Sequence, residues 1–269
     1  MGTLSQHNEP VAYVYDGTFE GFLSTVFRAF EIRREPLAIT KKASWQPTIF
    51  GNHVEVETVA EQCDRVWNGI VKRSTLRNAR TLHLAYQSEL PDIELRLWRY
   101  LKALFTSNSS AHYRNTLNEH VFDILKIARK VYGETHRMLG LVRFQQAADG
   151  TYFAAIAPDH NILWLMQDHF MNRIADQQWI IYDTRRHYGL FYNLQEVTEI
   201  TLEPENVNLG NGKLASEVRD ADEDYYRNLW QAYYKAINIK ERKNTKQMLR
   251  LMPHRYWKYL PEKDDLSEE

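Results

Sequence analysis

The sequence predicts an α+β protein: an antiparallel sheet with helices packed on it, a helix-rich N-terminal half and helices at the C-terminal end. Three observations lead there. Apolar residues recur at helical spacing through most of residues 19–137, and the period shifts towards two between about 139 and 192. The strand-like pieces also come in pairs joined by hairpin turns, with helices grouped between them, which argues against a doubly wound parallel sheet. At 269 residues, 43 % apolar and 26 % charged, the chain can bury a large core. Residues 11–262 read as one domain, with room for two lobes divided near 106–115.

Taken in order, Val11–Tyr15 reads as a buried strand and Asp16-Gly17 as a turn. Phe19, Phe22, Leu23, Val26, Phe27 and Phe30 then form one helical stripe, with Asp16 or Thr18 as its cap. Short β-prone pieces at Ile39, Thr48–Phe50 and Val54–Val56 surround a hairpin turn at Gly51-Asn52. Thr58 and Glu61 have capping-box spacing, and the helix behind them turns Val59, Cys63, Val66, Trp67 and Ile70 inward. Residues 75–105 read as helical, with Pro91 in a first turn and Leu95, Trp98, Leu101 and Phe105 facing the core. Thr106–Ser110 is the best linker in the chain. A second capping box, Thr116 to Glu119, opens a helix to about Arg137 carrying Leu117, Val121, Ile124, Leu125 and Ala128.

Beyond it, Leu139–Gln146 and Tyr152–Ala157 predict two strands joined at Asp149-Gly150, followed by a helix from Ile162 to Ala175. Trp179–Asp183 and Tyr188–Tyr192 predict a hairpin around Arg185-Arg186. An amphipathic helix, about Ala221 to Ile237, carries Tyr226, Leu229, Trp230, Tyr233 and Ile237. Asn244 and Gln247 suit the start of a last short helix that stops at Pro253. Residues 1–10 are expected to be flexible, and 263–269 to form a frayed acidic tail.

Composition removes several function classes. One cysteine, Cys63, permits no internal disulfide, and zinc or iron–sulfur sites normally need several thiolates. The spacing of His160 and His169 fits no helical pair of metal ligands, so neither metal nor cofactor is expected. There is no phosphate loop, GxGxxG, GxSxG or HExxH. No apolar run approaches the roughly twenty residues of a membrane span. Met1–Pro10 lacks a signal-peptide core, and the cytoplasm is the expected compartment.

Net charge is −1, but the distribution is uneven. Glu217, Asp220, Asp222, Glu223 and Asp224 precede a basic block running from Lys235 to Lys258. Within it Arg242, Lys243, Lys246, Arg250, Arg255 and Lys258 accompany Tyr256, Trp257 and Tyr259. Cations neutralise phosphates and flat rings stack on bases, so this block is the candidate nucleic-acid surface. The plainer reading is a solvated helix face with the rings anchoring the C-terminus. A second cluster, His136, Arg143, His169 and Asp183, holds candidate acid–base or phosphate-contacting groups. For Asp183 the plainer reading is a turn cap, and for His169 a satisfied histidine at a helix–sheet contact.

Five blocks carry a resemblance: Val14–Leu23, Thr135–Phe144, His169-Phe170, Gln178–Asp183 and Met252–Trp257. Together they resemble, over roughly residues 11–262, a bacterial family of unknown function labelled probable DNA-metabolism protein. Its members are typically encoded beside a radical-SAM protein of DNA modification or repair, and its domain also occurs fused to a uracil-DNA glycosylase-like domain. The resemblance implies a DNA-binding accessory protein of repair or base modification that works with a radical-SAM partner. An enzyme acting directly on DNA and a protein–protein adaptor are the alternatives.

Overall fold

The computed structural model describes residues 10–46, 52–107, 109, 111–202, 208, 210–237 and 244–266, the last three by backbone alone. The chain forms two compact units, Met1–Tyr132 and Gly133–Glu269. Their division falls inside a long helix rather than in the Ser- and Asn-rich stretch at 106–115. The class is α+β, with helices packed on sheets.

In the first unit, β1 (Val11–Tyr15) is buried along its whole length and centres a three-stranded sheet in the order β2-β1-β3. Both partners, β2 (Pro36–Lys41) and β3 (His53–Glu55), run parallel to it. The expected antiparallel pairing fails here because α1 (Phe19–Ile32) carries the chain back across the sheet, and a strand returning after such a crossover lies parallel. The predicted turn at Gly51-Asn52 and the piece before it fall largely outside the described residues. Thr18 caps α1, accepting the Gly21 N–H at 2.9 Å.

Neither capping box forms. Thr58 instead donates its hydroxyl to Asp16 at 2.6 Å, and α2 (Ala60–Arg73) starts without a side-chain cap. Its Cys63, Val66 and Ile70 are buried as expected. The 75–105 stretch is two helices, α3 (Leu76–Tyr86) and α4 (Ile93–Thr106). Glu89 and Asp92, at φ of 50° and 59°, break the helix between them. For α5 (Glu119–Leu139) the cap is Asn118, accepting from His120 and Val121. That start leaves Leu117 96 % exposed, ahead of the helix rather than on its stripe.

The second unit holds a five-stranded sheet in sequence order: β4 (Gln145–Gln146), β5 (Tyr152–Ile156), β6 (Trp179–Asp183), β7 (Tyr188–Tyr192) and β8 (Val197–Ile200). Three of its pairings are antiparallel. The β5–β6 pair is parallel, since α6 (Leu163–Arg173) makes the crossover between them. A fully antiparallel sheet over 139–192 is therefore corrected to a mixed one. The first strand is also shorter than expected, because α5 runs to Leu139. On one face Phe153, Ala155, Tyr182 and Leu214 form a core; the alternate residues of β6 put Trp179 against Phe170 and Tyr192.

The chain continues through α7 (Glu223–Ala236) and α8 (Thr245–Leu251), the latter capped by Asn244. Two 3-10 segments, His254–Tyr259 and Pro261–Leu266, follow. The stretch expected as a tail starts on an anchored residue: Lys263 is buried and donates to the Tyr234 hydroxyl at 2.9 Å. Among the described residues no helix is long and apolar enough to cross a membrane.

Candidate functional site

The catalytic candidates sit in different surroundings. Asp183 ends β6 fully buried, accepting the backbone N–H groups of Arg185 (2.9 Å) and Arg186 (3.2 Å) and pairing with the Arg186 guanidinium at 2.7 Å. Burial pushes its carboxyl up, and the Arg186 contacts only partly offset that. These contacts make Asp183 the cap of the β6–β7 turn. His169, on α6, sits edge-on to Phe170, and its buried Nε2 has no partner among the described residues. His136 is exposed on α5. Arg143 donates to Glu262 through both Nη2 (2.8 Å) and Nε (3.2 Å). The partners of Arg143, His169 and Asp183 thus differ: Glu262 for the first, the Phe170 ring for the second, and the Arg185–Arg186 turn for the third.

The residues of the C-terminal block differ in their surroundings too. Arg242 and Lys243 lie outside the described residues. Lys246 and Arg250 are exposed one turn apart on α8. Tyr256 is only 2 % exposed, its hydroxyl hydrogen-bonded to Glu134, and Arg255 reaches the Tyr256 oxygen at 2.8 Å and Asp159 at 2.7 Å. Glu134 also accepts the backbone N–H groups of Asp159 and His160, each at 2.9 Å. Burial alone would push the Glu134 carboxyl up, but these hydrogen bonds hold it below the ordinary range. Trp257 is 8 % exposed and donates to the Met252 carbonyl at 3.0 Å. Stacking on a base needs an open ring face, and neither Tyr256 nor Trp257 presents one: both are anchors. Lys258 is exposed, 4.8 Å over the Tyr259 ring.

What the second unit does present is a groove of about 520 Å³ where β4 and β5 meet α7. Phe144 and Tyr152, edge to face at 6.5 Å, line it from the sheet side, and Tyr226 and Trp230 from the helix. Tyr226 is 55 % exposed and Trp230 37 %. The Trp230 ring is held in place: its Nε1 donates to Glu262 at 2.8 Å, and the Arg143 guanidinium lies 5.3 Å from its centroid. Burial would raise the Glu262 carboxyl, yet the bonds from Arg143 and Trp230 hold it below its ordinary range.

Arg143, Arg227 and Pro261 also line a smaller hollow alongside, to which Lys213 and Lys258 contribute. Gly212 makes this approach possible. Its φ is 71°, and a Cβ there would come within 2.5 Å of Ala155. Glu223, the first residue of α7, completes the groove; its carboxylate accepts the Gln146 N–H at 2.8 Å and ties the helix to β4. Burial pushes that carboxyl up, offset in part by the Gln146 bond and Arg227.

Of the residues singled out in the sequence, the structure brings Arg143 and Lys258 to this place. It also brings Tyr226 and Trp230, which the sequence placed on an amphipathic helix. Composition holds the missed signal. Five of the large residues on α7 are rings, Tyr225, Tyr226, Trp230, Tyr233 and Tyr234, beside Leu229, and amphipathic rings favour half-wet surfaces. Among the described residues no group of three or more His, Cys, Asp or Glu side chains could hold a metal ion.

A protein-family model described as a domain of unknown function (DUF4130) matches residues 91–262, more than half of the chain. Four of the five blocks that carry the resemblance lie inside that match; Val14–Leu23 lies before it. No curated protein matches the chain.

Proposed function

Because the chain belongs to this family of unknown function, DUF4130, its activity has to be argued from the groove, and we propose that the protein binds unstacked, single-stranded DNA there. The observation that carries the reading is a groove walled by rings with a smaller, cation-lined hollow alongside it, the two sharing Arg143 and Arg227. Phe144, Tyr152, Tyr226 and Trp230 suit the flat faces of bases, and Arg227, Lys213 and Lys258 suit the phosphates joining them. A volume of about 520 Å³ is in the range of small-ligand sites. Lys246 and Arg250 offer further exposed charge on α8.

The role this supports is accessory: holding DNA for repair or base modification while a partner, the radical-SAM protein implied by the resemblance, does the chemistry. His136, His169 and Asp183 do not line the groove, which favours binding over catalysis at this place. The adaptor reading has its own observation, the exposure of Leu229, Tyr233 and Ile237 along α7, and it leads if DNA does not bind.

The test is fluorescence anisotropy with labelled single- and double-stranded oligonucleotides at several salt concentrations. Wild type should bind single strands with affinity that falls as salt rises. Arg227→Ala should flatten the slope of log affinity against log salt by about 0.7. No salt-dependent binding, with or without the partner, would remove the DNA reading.

A further inference from the structure

We infer that the groove discriminates among bases, favouring one that carries an exocyclic amine over thymine, with Glu223 as the reading group. This rests on the single-strand reading above and adds base preference to it. Glu223 lines the groove between the Tyr226 ring one turn along α7 and Gln146 on β4. Its residue is 8 % exposed, so its carboxylate is fixed rather than waving in solvent. Oε2 is spent on the Gln146 N–H, while Oε1 has no hydrogen-bond donor among the described residues. The Gln146 bond also sets the carboxylate's position from the sheet side.

An ionised carboxylate only accepts hydrogen bonds. Cytosine and adenine offer an exocyclic amine, and guanine offers an amine beside a ring N–H. Thymine offers one ring N–H flanked by two carbonyl oxygens, which a carboxylate repels. Stacking on Tyr226 and Trp230 is nearly indifferent to this difference, since every base has a π face. Discrimination therefore falls to Glu223. Thymine and cytosine share a ring size, so comparing them holds the stacking area nearly constant while the hydrogen-bonding edge changes.

The experiment measures affinities of wild type and Glu223→Gln for oligo(dC) and oligo(dT) of equal length, at neutral pH and fixed salt. Oligo(rC) and free CMP provide further arms. Wild type should bind oligo(dC) about tenfold more tightly than oligo(dT). Glu223→Gln, which keeps an acceptor for the Gln146 N–H but adds a donor, should bring the ratio close to one, weakening oligo(dC) and strengthening oligo(dT). Salt-dependent binding without base preference, or a preference that survives Glu223→Gln, overturns the inference and leaves single-strand binding standing. Tight binding of CMP with no gain on the polymer supports the base preference but overturns the DNA reading. Equal affinity for oligo(rC) and oligo(dC) keeps Glu223 as reader and makes the ligand any single strand. Should Glu223→Gln fail to fold by circular dichroism, the wild-type dC/dT ratio alone decides: no preference ends the proposal.

Discussion

Two places in the C-terminal unit are built from the same three groups and come to opposite ends. In each, a buried glutamate accepts a hydrogen bond from an aromatic side chain and has an arginine beside it: Glu134 with Tyr256 and Arg255, and Glu262 with Trp230 and Arg143. Both carboxyls are held below their ordinary range against the push of burial, Glu134 by Tyr256 and the Asp159 and His160 N–H groups, Glu262 by Arg143 and Trp230. The difference is the ring. Tyr256 is 2 % exposed and its network closes on Asp159 and the backbone, whereas Trp230 is 37 % exposed beside the groove. One arrangement staples the C-terminal segment; the other leaves a ring half-exposed at the groove. A buried polar network marks a site only when one of its members still faces an opening.

Mutations at the two places should therefore separate stability from binding. The largest effect is expected from Glu134→Ala, which strands the Tyr256 hydroxyl and two backbone N–H groups. Urea denaturation should show a loss of about 3 kcal/mol. A loss below 1 kcal/mol would mean the network is not a staple. Next, Trp230→Ala should weaken single-strand binding by about 1–3 kcal/mol while costing about 1 kcal/mol of stability. Trp230→Phe keeps the ring and loses only the bond to Glu262, so most of the affinity should remain. Equal losses for both substitutions would assign Trp230's role to the tether rather than to stacking.

A smaller effect is expected on α8, whose cations lie outside both networks. Lys246→Ala and Arg250→Ala should each flatten the salt slope of single-strand binding by about 0.7 if the phosphate path extends that far, and should leave urea stability unchanged. The smallest effect is in pH. Glu134 and Glu262 have folded-state pKa values below the unfolded value of about 4.3, so they contribute stability above that pH. This contribution disappears as the pH falls through their folded values. Glu134→Gln should reduce the acid-side slope of stability against pH, measured by urea unfolding. An unchanged slope would place the acid lability elsewhere.

How far the sequence reached depended on whether a residue's role is local. Asn244 caps α8 and Asp183 caps its turn, because each needs only backbone groups two or three residues away. Thr58 shows the limit: its spacing to Glu61 suits a capping box, but Asp16, distant in sequence, takes its hydroxyl. The aromatic and basic residues at 255–258 likewise carry the composition of a nucleic-acid surface, yet Glu134, more than a hundred residues earlier, draws Tyr256 inside.

By itself the sequence determined the α+β class, most helix positions and the strands at 11–15, 152–156, 179–183 and 188–192, since these follow from nearest-neighbour sterics and the spacing of apolar residues. Tertiary structure decided the rest. It made β1–β2 and β5–β6 parallel, because direction depends on a crossover helix returning the chain to the same side. It also chose which of two glutamate–aromatic–arginine sets stayed open. Periodicity says that a stripe is apolar; whether another element covers that stripe is settled only where the chain ends up in space.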